Sequence, residues 1–349
     1  MDKIEALKGE GTVLVFLSLE TAVHSRSLNY FDGLIKLGVT CKWHDIPNKN
    51  ILKNLKRIIS DYKNTDCIFI VCSPSHLLVP YVLLTTRKRP YFDAGWPLYD
   101  GVISSRRNFG VLGANLLKTF FIDFIAMVFS KKIFVETPQQ QNRIRNKYFI
   151  KKEKLVALPT GFQESRFTKQ NQLLPNKEGV VVLFRGGDLI EAGIDVLIDA
   201  IKMNQNKNIK FVIVSNSVRL KSFTLPNTTF ITNYVSDKDL NEIYCSVNIV
   251  LGQLSSHKRT NWTIPHKFYE AAYMGLPYLT SNSAPMLELS KNEYVKVFKA
   301  DDSSALLFVI EQMLSDPSKT KILGINIKRL YEKEFSQYQL SNLLAKNII

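Results

Sequence analysis

Cysteine is scarce in this 349-residue chain: Cys41, Cys67, Cys72 and Cys245 are the only four. They lack the close pairs and accompanying histidines of a zinc site, and three fall in strand-like runs where a reduced, buried thiol is expected. No secretory signal is expected either. Met1 to Gly11 carries Asp2, Glu5 and Glu10, and the first apolar run, Val13 to Leu19, has the length of a buried strand. Uninterrupted apolar runs are lacking as well. The longest, Gly110 to Phe129, contains Lys118 and Asp123, and each such charge costs roughly 2.5 to 3.5 kcal/mol at a bilayer centre. A buried or surface-lying helix is therefore expected there, in a cytoplasmic protein. No Asp-x-Asp pair suited to a divalent ion is apparent, so no metal is expected.

What is present is the balance of an ordinary folded protein, with 45% apolar and 22% charged residues. The length suits two hydrophobic cores better than one. Net charge is +15 and uneven. Through Gln170, 26 Lys plus Arg face 14 Asp plus Glu, a net of +12; the remaining 20 against 17 add +3. Such a field favours polyanions. No zinc-finger, helix-turn-helix or aromatic RNA-binding pattern accompanies it, and nucleic acid is not expected as a partner. The basic residues lie beside apolar, aromatic-rich helices. Phe120, Phe121, Phe124 and Phe129 followed by Lys131 and Lys132 suit an anionic membrane surface, or equally a helix packed on a sheet with solvated lysines.

The order of elements is regular. Thr12 to Ser18 reads as a strand without a polar face, His24 to Leu37 as a helix stopped by Gly38, and Val39 to His44 as a second strand. Ile51 to Ile59 is a helix and Asp66 to Cys72 a strand. After a mixed segment from Val79 to Gly101 come a helix to Phe129, a strand at Lys132 to Glu136, the helix Gln139 to Tyr148 and the strand Lys154 to Leu158. The polar stretch Phe162 to Gly179 reads as a linker, after which the alternation restarts. Ser303 to Leu314 and Leu330 to Lys346 read as closing helices. An α/β protein of two Rossmann-like domains facing an interdomain cleft is expected. The boundaries are 1–165, a linker at 166–178, 179–330, and a terminal helix within 331–349 that packs back on the first domain.

Ile264 to Pro277 (IPHKFYEAAYMGLP) is the sharpest segment. Glu270 sits one turn into its helix, where a carboxylate can accept from two vicinal ribose hydroxyls or simply complement the helix dipole. Gly275 and Pro277 stop the helix and start the next strand.

With VALPTG (Val156 to Gly161), RGGDLIEAGIDVLIDAI (Arg185 to Ile201) and KFYEAAYMGLPYLTSNSAP (Lys267 to Pro285), the chain resembles the retaining glycosyltransferases of family 4, the group 1 glycosyl transferases of GT-B fold. The resemblance implies transfer of a sugar from a nucleotide-diphosphate sugar, without a cofactor, to a lipid-linked saccharide or surface-polysaccharide precursor. It places the ribose ligand at Glu270, donor contacts at Gly186, Gly187, Lys267, Ser283 and Ala284, and phosphate pairing at Arg185. Asp93 and Lys258 are further catalytic candidates. Glu20, His24, Arg26 and Trp96 are candidates on the acceptor side.

Three positions depart from the family pattern. Ala192 replaces a basic residue before Gly193, Trp262 replaces the first of two paired glutamates, and Gly95 stands where a histidine is usual. Lys258, Arg259 or Lys267 could restore the missing phosphate-side charge. The same departures keep open a second reading, a catalytically weak scaffold that binds a partner glycosyltransferase.

Overall fold

Strands that are apolar on both faces need cover on both sides, and the chain supplies it twice. The computed structural model describes residues 11–20, 25–104, 112–168 and 179–348. His24, and most of the linker expected at 166–178, lie outside the described residues. Two compact units emerge, Met1–Gln163 with Gln337–Ile349, and Glu164–Ser336.

The first unit runs β1 (Val13–Leu19), α1 (Ser25–Lys36), β2 (Cys41–Ile46), α2 (Ile51–Ser60), β3 (Cys67–Cys72), α3 (Leu78–Thr86), β4 (Tyr91–Gly95), α4 (Leu98–Ser104), α5 (Leu112–Phe129), β5 (Ile133–Val135), α6 (Pro138–Tyr148) and β6 (Leu155–Ala157). Its six strands are all parallel, in the order β2-β1-β3-β4-β5-β6. The mixed segment expected from Val79 to Gly101 is thus a helix, a strand and the start of another helix. Pro80 is tolerated because it falls in the first turn of α3, where its missing amide loses no bond. Pro138 opens α6 in the same way, with Thr137 accepting from the Gln140 amide at 3.1 Å.

Asp123 anchors the buried face of α5. The carboxylate is fully buried and accepts from the Leu98 and Tyr99 amides and the Tyr148 hydroxyl, at 3.0, 2.9 and 2.9 Å. It thereby caps α4 from outside it. Among the described residues no helix is long and apolar enough to cross a membrane.

The second unit runs β7 (Val180–Arg185), α7 (Ile194–Met203), β8 (Ile209–Val214), β9 (Thr228–Ile231), α8 (Asp237–Cys245), β10 (Ile249–Leu251), α9 (His266–Met274), β11 (Tyr278–Ser281), α10 (Ala284–Lys291), β12 (Lys296–Phe298), α11 (Ser303–Ser315) and α12 (Pro317–Leu330). Its parallel sheet has the order β12-β11-β10-β7-β8-β9.

The helix expected from Leu330 to Lys346 is not continuous. A π-helical turn at Tyr331–Phe335 follows α12, Ser336 is extended, and α13 (Gln337–Ile348) begins anew. Phe335 packs edge-on to Phe268 in the second unit, ring centroids 5.7 Å apart, and the Tyr331 hydroxyl donates to Glu164 at 2.9 Å. Gln337 instead belongs to the first unit and donates to both the carbonyl and side-chain oxygens of Asn29 at 3.0 Å. One helical axis cannot serve both sets of contacts. Gly33 lets α13 lie close on α1, since a Cβ there would stand 2.0 Å from Ser341 Oγ.

Candidate functional site

In a doubly wound sheet the two strands at which the winding direction reverses leave a gap beyond their carboxyl ends, because their crossover helices depart to opposite sides. In the second unit those strands are β7 and β10, paired Ile249 to Val182 and Leu251 to Phe184. Arg185 ends β7 and Gly252 follows β10. Lys267 and Glu270 come from the first turn and a half of α9, so all four meet at this gap.

Arg185 Nη2 lies 2.5 Å from Glu270 Oε2. The Tyr244 hydroxyl, from α8, donates to the same oxygen at 2.7 Å. Glu270 is 1% exposed, whereas the Arg185 side chain keeps 29% of its surface open. Among the described residues Glu270 Oε1 accepts no hydrogen bond, and Arg185 Nε is buried without an acceptor. The pair therefore keeps one unused acceptor and one unused donor. Lys267 Nζ donates to the Gly252 carbonyl at 2.8 Å and sits 4.5 Å over the Phe184 ring. Gly252 has to be glycine here, because a Cβ would stand 2.4 Å from Thr280 Oγ1.

The electrostatics are those of a crowded cationic cluster. Burial, reinforced by the Arg185 charge and only partly offset by Glu270, pulls the Lys267 ammonium down to about 7. Burial is the largest influence on Arg185 and opposes its charge, but Glu270 and Tyr244 together outweigh it and the guanidinium stays firmly protonated. Burial and the Glu270 charge push the Tyr244 phenol well up, so it remains a donor.

Gly186 and Gly187 follow Arg185 directly, and the Gly186 amide donates to Val214 at 3.0 Å. The turn before Gly193 is stitched to the loop after β10: the Leu254 amide donates to the Ala192 carbonyl at 3.2 Å and Ser255 Oγ to that of Glu191 at 3.1 Å. Arg259 reaches back across this seam to Glu191 Oε1 at 2.9 Å, beside Ala192. Lys258 is exposed and makes no ion pair among the described residues. Ser283 is the N-cap of α10 without a side-chain cap bond, and the Ala284 amide faces Asn261 Oδ1 at 3.4 Å.

In the first unit, Arg26 and Asp93 form a buried pair at 2.7 Å. Ser27 donates to the other Asp93 oxygen at 2.7 Å, and Arg26 Nη1 donates to Thr160 Oγ1 at 3.2 Å. Both Asp93 oxygens are thus committed at the carboxyl end of β4, which suits a positioning part better than a proton carrier. Arg26 Nη2 is buried without an acceptor among the described residues. Glu20 is exposed just beyond β1, and Trp96 is half-buried between β4 and α4. Removing one partner of a buried pair leaves the other charge stranded. Asp93→Asn should therefore cost about 3 kcal/mol of unfolding free energy, read by urea denaturation.

Tyr244 carries no motif and went unrecognised in sequence, because its partner lies 26 residues on in another helix. An Asp-x-Asp run, Asp237 and Asp239, opens α8. Asp237 is held by Arg166 at 2.5 Å, while Asp239 accepts from the Ser236 hydroxyl at 2.7 Å.

A doubly wound unit with charged side chains gathered at its switch point, joined to a second parallel α/β unit, is the architecture of the GT-B fold. Residues 165–330 match the family described as glycosyl transferases group 1. They make up nearly all of the second unit, which is thus a group 1 glycosyltransferase domain. The fold extends over the whole chain. It is similar to Anabaena Alr3699/HepE solved with UDP, at 12% identity and TM-score 0.71 over 95% of this chain and 98% of that one. It is also similar to sucrose-phosphate synthase from Thermosynechococcus elongatus, at 13% identity and TM-score 0.71, with 96% and 98% covered. A glycosyltransferase from Rickettsia africae matches at 15% identity and TM-score 0.62, with 97% and 99% covered. No curated protein matches the chain by sequence.

Proposed function

We propose that the chain transfers a sugar from a nucleotide-diphosphate sugar, with retention at the anomeric carbon, to a lipid-linked saccharide or surface-polysaccharide precursor. It does so peripherally, at the cytoplasmic face of a membrane. The observation that carries the donor half is the Arg185–Glu270–Lys267 cluster at the switch point of the second sheet. Glu270 Oε1 takes a ribose hydroxyl. Arg185, held by Oε2, turns its unused Nε–H towards the diphosphate, where the neighbouring Lys267 adds charge. Gly186 and Gly187 let backbone approach the phosphates closely, and the Ser283–Ala284 corner presents the amino terminus of α10 to the sugar or diphosphate.

In the reaction the acceptor oxygen bonds to the anomeric carbon as the bond from that carbon to the diphosphate oxygen breaks. The acceptor proton passes to the departing phosphate, so no protein nucleophile is required. Fixed cations meet the charge growing on the leaving group, and we propose that they replace a metal ion. Arg26 and Asp93 position the acceptor side, with Glu20 and Trp96 nearer solvent.

A thermal-shift screen of nucleoside diphosphates and their sugars tests the donor half, because a ligand that binds only the native state raises its apparent stability. At least one should stabilise the protein and be turned over with acceptor. Binding without transfer or hydrolysis would favour the scaffold reading instead. Arg259 is our choice for the charge lost at Ala192. Removing a charge-assisted bond costs about 1.5 to 3 kcal/mol, so Arg259→Ala should weaken donor binding at least about tenfold in calorimetry. Lys258→Ala should change it little.

A further inference from the structure

The amino ends of β4, β5 and β6 lie side by side, because the three strands are adjacent and parallel, Phe92 pairing with Ile133 and Ile133 with Leu155. Each is entered by a helix-to-strand turn, and the three turns share a composition that sequence order hides. Before β4, Leu84 is 74% exposed and Arg87, Lys88 and Arg89 follow it. Before β5, Phe129 is 37% exposed and Lys131 and Lys132 follow. Before β6, Phe149 is 89% exposed and Lys151 and Lys152 follow.

The turns are tied together. The Lys131 amide donates to the Pro90 carbonyl at 2.8 Å. Lys154 Nζ donates to the carbonyls of Met127 and Val128 at 3.0 and 2.8 Å, closing the end of α5. Burial, with Arg89 beside it, pulls Lys154 down to about 8, a sign of how closely cations crowd at this rim. Leu117, Phe121 and Ile125 continue the exposed apolar line from Phe129 along α5, at four-residue steps.

We propose that this rim, with the adjoining face of α5, docks on a bilayer containing anionic phospholipid. Cations bind the headgroups while Leu84, Phe129 and Phe149 enter the interface. The inference rests on the membrane half of the proposed function and gives it a surface. Charge complementarity selects an anionic occupant, and the exposed aliphatic side chains Leu84, Leu117 and Ile125 select a bilayer over a nucleic acid. RNA bases can stack on Phe129 and Phe149, but RNA offers no apolar phase for aliphatic groups. The rim lies at the opposite end of its sheet from the Arg26–Asp93 pair, so docking leaves that carboxyl end uncovered.

The test is sedimentation of the full chain with vesicles of phosphatidylcholine alone or mixed with phosphatidylglycerol. Binding should require the anionic lipid and fall as salt rises. Two variants keep the Lys131 amide and Lys154 ammonium bonds, the first giving up only the Lys131 ammonium 5.0 Å over the Tyr91 ring: Lys131→Gln/Lys132→Gln/Lys151→Gln/Lys152→Gln, and Leu84→Ser/Phe149→Asn. Asparagine tolerates the left-handed backbone at Phe149, φ 54°. Each variant should bind mixed vesicles at least about tenfold more weakly. Absence of vesicle binding by the unaltered chain, retained binding in both variants, or tighter binding to single-stranded RNA than to vesicles would overturn the proposal. The nucleotide thermal shift, measured on the same preparations, should be unchanged in both variants. If it is missing in the unaltered chain, the glycosyltransferase reading fails separately from the docking surface.

Discussion

Glu270→Ala should abolish most of the stabilisation given by a nucleotide sugar and reduce transfer by more than about a hundredfold. Two effects combine. The substitution removes the acceptor we assign to the ribose hydroxyl, and it strands two neighbouring cations, Arg185 and the buried Lys267. Losing a charged hydrogen-bond partner costs about 1.5 to 3 kcal/mol of binding. Breaking a buried ion pair costs about 3 to 5 kcal/mol of folding, and the lower figure applies because the Arg185 side chain is 29% exposed. Glu270→Gln separates the two effects. It preserves shape and can still meet the Tyr244 hydroxyl, so it should fold more stably than the alanine variant while losing most transfer. A donor-induced shift that survives in Glu270→Ala, measured on protein shown to be folded, would refute the assigned role.

Donor binding should weaken as pH rises through 7 to 9, and Lys267 should be the reason. Its folded value lies near 7 against an ordinary 10.5. Below pH 7 both folded and unfolded chains carry the proton, and the folded protein bears a buried charge. Between about 7 and 10.5 the unfolded chain holds the proton and the folded one does not, so unfolding free energy rises with pH, by at most about 1.4 kcal/mol per unit. A bound diphosphate reverses the preference by favouring the ammonium. Binding therefore takes up a proton, and affinity should fall by up to about tenfold per pH unit across that window. Calorimetry of UDP-glucose as a probe, in two buffers of different ionisation enthalpy, would register the proton. Its sugar-capped diphosphate does not titrate in this range. Lys267→Met should bind more weakly and lose the pH dependence. If that variant keeps the same slope, another group is responsible.

Both expectations concern residues visible in the primary structure for a simple reason. Glu270 and Lys267 share one helix turn with a small-residue pair behind them, and spacing along a helix is a local property. Arg185 stood out beside a glycine pair for the same reason. Tyr244 had no such mark, since only the packing of α8 on α9 gives it the Glu270 carboxylate. Nor could spacing show that Asp93 has both oxygens taken by Arg26 and Ser27, which are more than sixty positions away. The terminal helix was overrun for a related reason. Its apolar rhythm continues past Leu330, but Phe335 and Gln337 answer to different units.

Alternation of apolar strands with covering helices made the α/β class and the two-unit division readable from the chain alone, because burial on both faces leaves its trace in every strand. The order of strands within each sheet is not written in any one of them. That order put Arg185 next to Gly252 at a reversal of winding, and it lined up three basic turns from distant stretches on one rim. Composition shows how much charge a chain carries, whereas its placement depends on which strands become neighbours.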